Sequence, residues 1–186
     1  STTRYGVHPP FLFDLITSVF ENNSFDEGCL KVEALKDQLL RDKRTITVTD
    51  LGAGSVSGKG KERRIGFVAR SSSKPKKYGR LLYRLVRYLQ PGYILELGTS
   101  LGLSSSYMSL GAPSSKIITI EGCPNIAALA EKNFHALNLQ NIKLINGNFD
   151  IELPEVLKDL TQIDFLFVDG NHQKEPTIKY FEQCLT

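Results

Sequence analysis

The sequence predicts a three-layer α/β fold, in which helices cover both faces of a mostly parallel sheet, with a helical extension at the N-terminus. From residue 93 onwards, short apolar runs alternate with helical patterns. These runs are continuously apolar, which is typical of strands buried on both faces. The length of 186 residues suits a domain with a sizeable core.

The N-terminal part predicts helices followed by a strand and a loop. Pro9 and Pro10 precede an amphipathic helix that ends near Asn22, and a second helix is predicted over about 29–43. Residues 45–50 alternate as a strand should, and a loop rich in Gly, Ser and Lys follows to about residue 64. A further helix is predicted from about residue 77 to Leu89.

The C-terminal part predicts four strands that alternate with four helices. The predicted strands are 93–97, 116–121, 142–146 and 163–169, and the predicted helices are 103–110, 125–138, 153–160 and 174–185. The sheet would have four parallel strands, or five if 45–50 joins it. We divide the chain into an extension with a basic loop at 1–75 and a ligand-binding domain at 76–186.

Charge is unevenly distributed along the chain. The segment 59–87 contains eleven Lys and Arg and one acid, Glu62, whereas the chain as a whole carries only +3. A basic block in an otherwise acidic chain predicts an anionic partner or substrate, or simply a solvated surface. The three cysteines suit reduced thiols in a cytoplasmic protein, and no apolar run is long enough to span a membrane.

Two glycine turns compete as the ligand site, one at 50–54 and one at 96–102. Only the second is followed by a helix and by another strand that ends in an acid, Glu121. That carboxylate could accept hydrogen bonds from both hydroxyls of a ribose. The context therefore favours the second turn.

The spacing of the second turn distinguishes between nucleotide ligands. A dinucleotide site has a glycine two positions after the first, where the backbone approaches the pyrophosphate. Here that position is Ser100, between Gly98 and Gly102. The pattern suits a phosphate-free ligand with an ammonium and a carboxylate, such as S-adenosylmethionine (SAM).

With these motifs, residues 78–185 resemble the class I SAM-dependent methyltransferases, which have a Rossmann-like fold, and are nearest to small-molecule O-methyltransferases of the catechol and caffeoyl-CoA type and related bacterial enzymes. The resemblance rests on Glu96-Leu-Gly-Thr-Ser-Leu-Gly-Leu-Ser104. It implies a SAM cofactor and methyl transfer to an oxygen of a small molecule. The cofactor-binding residues that it implies, with the acid before the turn, are Glu96, Gly98, Ser100, Gly102, Ser104, Glu121, Gly147, Asn148, Phe149, Tyr78 and Gly79.

The segment after the last strand, Asp169-Gly-Asn-His172, supplies the catalytic candidates. A histidine can accept a proton from a hydroxyl near neutral pH, so His172 is a candidate base. The resemblance implies that Asp169 is a magnesium ligand in metal-dependent members. The further ligands in that family come from an Asp-Asn pair after another strand, which would lie beyond Thr186.

The last predicted strand would leave an apolar edge at 163–169. We expect that the sequence is a fragment lacking the C-terminal strands of the family, or that a partner chain covers this edge, for example in a homodimer. A small acceptor, which the basic segment suggests is anionic, is the expected partner, and no membrane is expected. Two alternatives remain open at this point: an RNA methyltransferase that uses the segment 59–87, and a SAM-binding fragment without catalysis.

Overall fold

The computed structural model describes residues 9–49, 60–171 and 173–185. Its N-terminal elements are α1 (Pro10–Leu15) with a π-helical continuation (Ile16–Phe20), α2 (Glu27–Arg41), β1 (Thr45–Val48), β2 (Lys61–Arg64), α3 (Ile65–Ser72) and α4 (Lys76–Leu89). The C-terminal elements are β3 (Tyr93–Leu97), α5 (Leu103–Gly111), β4 (Lys116–Glu121), α6 (Pro124–Ala136), β5 (Ile142–Asn146), α7 (Phe149–Asp159), β6 (Phe165–Val168) and α8 (Lys174–Cys184).

A parallel sheet with the strand order β5-β4-β3-β6 forms the centre of the described structure. Side chains of β3 point alternately to the two faces. Ile94 packs with α4 and α5 on one face, whereas Leu95 and Leu97 pack with α7 and α8 on the other. The predicted three-layer α/β fold with a mostly parallel sheet is confirmed.

The strand β1 does not join this sheet. It pairs antiparallel with β2, and Thr45 lies opposite Arg64. The expectation of a fifth parallel strand at 45–50 is therefore wrong, as is a loop that runs unbroken to residue 64. All four residues of β2 are charged and exposed, so it lacks the apolar pattern by which a strand is recognised.

The helix α7 begins four residues earlier than predicted, at Phe149. The Asn148 side chain caps it by accepting a hydrogen bond from Asp150 N at 2.9 Å. The Asn-Gly-Asn sequence before Phe149 predicts a turn, and Pro154 lies inside the helix, so the sequence understates its length.

The N-terminal elements pack directly against the sheet region. Leu39 of α2 and Val68 of α3 share one apolar cluster with Leu101 and Ile126. The division of the chain at residue 75 stays a prediction. In the described part of the chain, no helix has both the length and the apolar content needed to cross a bilayer.

Candidate active site

The carboxyl ends of the parallel strands meet at one edge of the sheet. Leu97 lies beside Ile120 of β4 and Val168 of β6. Asp169 N donates to Leu97 O at 2.9 Å, which holds the segment after β6 against β3. The residues at or just after the four strand ends are Gly98, Glu121, Gly147 and Asp169. These four sequence-predicted residues therefore surround one crevice.

The turn after β3 adopts left-handed backbone conformations. The φ angles are +103° at Gly98, +49° at Ser100 and +79° at Gly102. A Cβ at Gly98 would lie 2.7 Å from the backbone nitrogen of Gly170, because the two loops touch there. Gly102 is the N-cap of α5, and no side chain of the described residues caps this helix, so its first N–H groups are available to a ligand.

Glu96 is a fully buried carboxylate below this turn, with an exposed fraction of 0%. The hydroxyls of Ser104 and Ser105 donate to its two oxygens, and Thr119 Oγ1 donates to Oε2 at 2.6 Å. Burial raises the pKa of Glu96 to about 7, against the lowering effect of the three hydroxyls. Glu96 thus fixes β3, β4 and α5 relative to each other.

The raised pKa of Glu96 predicts a pH-dependent stability. The folded chain binds this proton more tightly than the unfolded chain, whose reference pKa is 4.5. Stability from this group is therefore fully present below pH 4.5 and is lost as the pH rises to about 7. We expect Glu96→Gln to remove this loss, which is at most about 1.4 kcal/mol per pH unit.

Urea unfolding of the wild type and Glu96→Gln between about pH 5 and pH 8 measures the effect. The difference between their unfolding free energies should change in favour of the variant as the pH rises. Other groups, including the half-buried Glu121, titrate in both proteins and cancel in the difference. Parallel curves would contradict the assignment.

Glu121 lies at the end of β4 and faces the crevice. Its Oε2 accepts from Ser100 N at 2.8 Å, and its Oε1 accepts from Cys123 N at 2.9 Å. Burial raises the pKa of Glu121, and the backbone N–H groups partly offset this effect. Each carboxylate oxygen keeps a further lone pair that a ligand hydroxyl can use.

Two cavities open on the crevice and meet at its centre. The larger has a volume of about 570 Å³ and the smaller of about 310 Å³. The residues that line both are Ser72, Gly98, Ser100 and Asp169. Together they form one continuous binding groove across the strand ends.

The larger cavity lies over β4 and β5. Its floor includes Glu121 and the predicted segment 147–149, and its opposite wall includes Arg63 and Phe67. Phe149 packs edge-on against Tyr180, with ring centroids 5.7 Å apart. A planar ring bound in this cavity would therefore contact the aromatic side chain of Phe149 and the backbone of Gly147.

The smaller cavity lies between α4, α5 and β6. Tyr78, Gly79 and Ser104 line it, as the sequence predicts. Gly79 is required by packing, because a Cβ there would lie 2.2 Å from the ring of Tyr107. Among the predicted cofactor residues, Glu96 and Gly102 are buried beneath the groove instead.

Asp169 lies where the two cavities meet. Its Oδ1 is 4.0 Å from Lys74 Nζ. His172 and the glycine turn 50–54 lie outside the described residues. Within the described residues there is no group of three His, Cys, Asp or Glu side chains suited to a metal ion.

Several residues of the groove are not among those predicted from the sequence. Lys36 lies on α2 and Tyr107 on α5, and both line the smaller cavity. Arg63 and Phe67 belong to the wall that β2 and α3 place over the larger one. The charge excess of segment 59–87 was a signal for Arg63, but nothing in the sequence indicated that α2 reaches the strand ends.

With this geometry established, comparison with known proteins identifies the domain. Residues 95–186 match a family model described as a methyltransferase domain. The C-terminal half of the chain belongs to this family. This methyltransferase domain contains the glycine turn, Glu121 and the segment after β6, whereas α2, α3 and α4 precede it.

Two curated relatives of the chain are catechol O-methyltransferases. Catechol O-methyltransferase of Niastella koreensis is 32% identical over 110 residues, covering 58% of this chain and 49% of that protein. The Bos taurus catechol O-methyltransferase is 30% identical over 115 residues, covering 58% of this chain and 42% of that protein. The predicted resemblance to class I O-methyltransferases is confirmed. The chain spans about half the length of these relatives.

Solved methyltransferase structures share the fold. An O-methyltransferase from Bacillus cereus in complex with S-adenosylhomocysteine (SAH) has a TM-score of 0.60 at 20% identity, covering 92% of this chain and 65% of that chain. The O-methyltransferase TomG from Streptomyces achromogenes in complex with SAM has a TM-score of 0.61 at 22% identity, covering 91% and 65%. The N-terminal elements of the present chain are thus included in the common fold.

Proposed function

We propose that the protein transfers the methyl group of SAM to a hydroxyl oxygen of a small molecule. The observation that carries this proposal is Glu121, a half-buried carboxylate at the end of β4 whose oxygens face a groove across the strand ends. The likeness to catechol O-methyltransferases supports an oxygen acceptor and suggests a catechol as the first one to try.

The two cavities suit the two ends of the cofactor. In the larger one, Glu121 accepts hydrogen bonds from the ribose, while Gly147, Asn148 and Phe149 flank the adenine. In the smaller one, Gly98, Ser100 and Ser104 hold the methionine end, and Tyr78 with Gly79 closes over it. Glu96 and Gly102 contribute from below by fixing the shape of the turn.

The turn is unsuited to a pyrophosphate. A phosphate at this position would need the backbone N–H of Ser100, but this group already donates to Glu121 at 2.8 Å. An anionic ligand would also lie close to that carboxylate and be repelled. A ribose hydroxyl meets neither obstacle, which favours SAM over a dinucleotide.

The transfer itself needs positioning and proton removal. When bound, SAM supplies an electrophilic methyl group: the acceptor oxygen forms a bond to this carbon as the carbon–sulfur bond breaks and SAH leaves. Asp169, where the cavities meet, orients the reactants, and His172, three residues later, takes the acceptor proton. Both roles are proposals.

Magnesium at Asp169 remains a prediction from the family resemblance. Asp169 could supply one oxygen ligand, but the described residues do not provide a cluster of three metal-binding side chains around it. They do not fit a complete metal site, and no step is assigned to magnesium. A homodimer, an anionic acceptor and a cytoplasmic location likewise stay predictions.

Calorimetric titration with SAM, SAH and NAD, each with and without magnesium, tests the proposal. We expect SAM and SAH to bind with one site per chain and NAD not to bind. Incubation with SAM and catechol should then release SAH. Binding of NAD in preference to SAM would overturn the cofactor assignment. If SAM binds but no methyl group is transferred, the protein is a SAM-binding module without catalytic activity.

A further inference from the structure

Much of the lining of the smaller cavity is apolar. One side consists of aromatic and aliphatic side chains from α4, α5 and β6. They are Leu81, Leu82, Leu85, Leu103, Phe165 and Phe167. Rings of this kind pack well against another flat ring. This side therefore suits the body of an aromatic acceptor.

Three lysines line the same cavity: Lys36 on α2, Lys74 in the α3–α4 connection, and Lys76 on α4. Two of them already have acidic partners. Lys76 Nζ is 3.2 Å from Asp37 Oδ2, and Lys74 Nζ is 4.0 Å from Asp169 Oδ1. These two lysines are thus partly neutralised.

Lys36 differs from both. Within the described part of the chain its ammonium forms no ion pair, and it donates to the backbone carbonyl of Lys74. The nearby Glu33 is already bound by Arg80, whose Nε donates to Glu33 Oε1 at 2.6 Å. Partial burial lowers the pKa of Lys36, so its charge is incompletely solvated. An ammonium with free donors beside a cavity is a site for an anion.

Tyr107 adds an aromatic ring to the lining of the smaller cavity. Its side chain is 5% exposed and lines the cavity. Its hydroxyl is buried and has no hydrogen-bond partner among the described residues. The hydroxyl has almost no accessible surface, so a ligand in the cavity would contact the ring of Tyr107 rather than its oxygen.

We infer that the smaller cavity binds the methyl acceptor as a hydroxylated aromatic carboxylate, with its ring on the apolar side and its carboxylate on Lys36. This inference rests on the proposed methyl transfer. The methionine carboxylate of the cofactor has a separate position, at the uncapped first turn of α5.

Three catechol probes that differ in charge test the inference. Affinities of 3,4-dihydroxybenzoate, catechol and 3,4-dihydroxybenzylamine are measured by calorimetry, with and without saturating SAH. The wild type should bind the carboxylate about tenfold more tightly than neutral catechol, the size expected for one charged hydrogen bond. The amine should bind most weakly.

Lys36→Met should abolish this preference while leaving the affinity for catechol within about twofold, since the apolar side is unchanged. Lys36→Arg should retain the preference. This result would show that the loss of preference in Lys36→Met comes from the missing charge and not from misfolding. Lys31→Met, on the same helix but outside the cavity, is the matched control and should behave as the wild type.

The outcomes separate this inference from the proposed function. Equal affinities of the three probes, or a carboxylate preference that survives Lys36→Met, overturn the inference alone. A loss of SAH affinity in Lys36→Met with an unchanged preference among the probes would assign Lys36 to the cofactor carboxylate and also overturn it. Failure of SAM and SAH to bind the wild type overturns the proposed function, whereas the charge preference is still measured without them.

Discussion

Replacing Glu121 by alanine is expected to weaken the binding of SAM and SAH by at least about tenfold, because two hydrogen bonds from the ribose to a carboxylate are lost. The carboxylate also accepts from Ser100 N and Cys123 N. Its removal therefore leaves two backbone N–H groups without their partner and loosens the turn that holds the methionine end. Calorimetric titration with SAH measures the change.

Two further variants make the Glu121→Ala result specific. Glu131→Ala removes an exposed carboxylate from α6 and should leave the affinity unchanged. Glu121→Gln keeps the size of the side chain but has only one acceptor oxygen, so its affinity should be reduced as well. If Glu121→Ala melts as the wild type and still binds SAH with wild-type affinity, the ribose site is wrongly assigned.

Gly98→Ala should lower the free energy of unfolding by about 2–4 kcal/mol, since it combines backbone strain with a collision. The φ angle of +103° disfavours any residue with a Cβ. The added carbon would lie 2.7 Å from Gly170 N and 2.8 Å from the carbonyl carbon of Asp169. These are backbone atoms, which cannot rotate away, so the loops after β3 and β6 must separate.

Urea unfolding compares Gly98→Ala with Gly92→Ala. A Cβ at Gly92 would lie 3.1 Å from Asp164 Oδ2, which accepts from Gly92 N and Tyr93 N and needs to shift by only a few tenths of an ångström, and the φ angle of Gly92 is not positive. We expect this control to lose less than about 1 kcal/mol. SAH binding should be abolished only in Gly98→Ala. Equal losses of stability in the two variants would contradict a close contact between the loops.

The sequence was most informative for the strands of the parallel sheet. The strands 93–97, 116–121 and 142–146 have the predicted ends, because a largely apolar run followed by polar or turn residues indicates where each strand lies. The strand β2 was missed because its residues Lys61–Arg64 are held by pairing with β1 rather than by burial. Its stability comes from a neighbour that a local pattern does not reveal.

The residues of the groove also differ in how far a local sequence pattern could predict them. Glu121 and Gly98 follow strand ends, and parallel strands bring their ends together, so their proximity could be predicted. Lys36 reaches the smaller cavity only because α2 packs beside α3, with Leu39 and Val68 in one cluster. Contacts between helices that are distant in sequence depend on tertiary packing.

The lining of the smaller cavity divides between two parts of the chain, one inside and one outside the segment that matches the family. Gly98, Ser100 and Ser104 fall within the segment 95–186, whereas Lys36, Lys74 and Tyr78 precede it. Under the proposed function, substitutions of Lys36 and Lys74 would alter which acceptor is bound, while the turn at 98–104 that holds the donor stays unchanged. Related proteins that differ in the helices α2 to α4 would then accept different compounds, while the strand ends that bind the nucleoside stay the same.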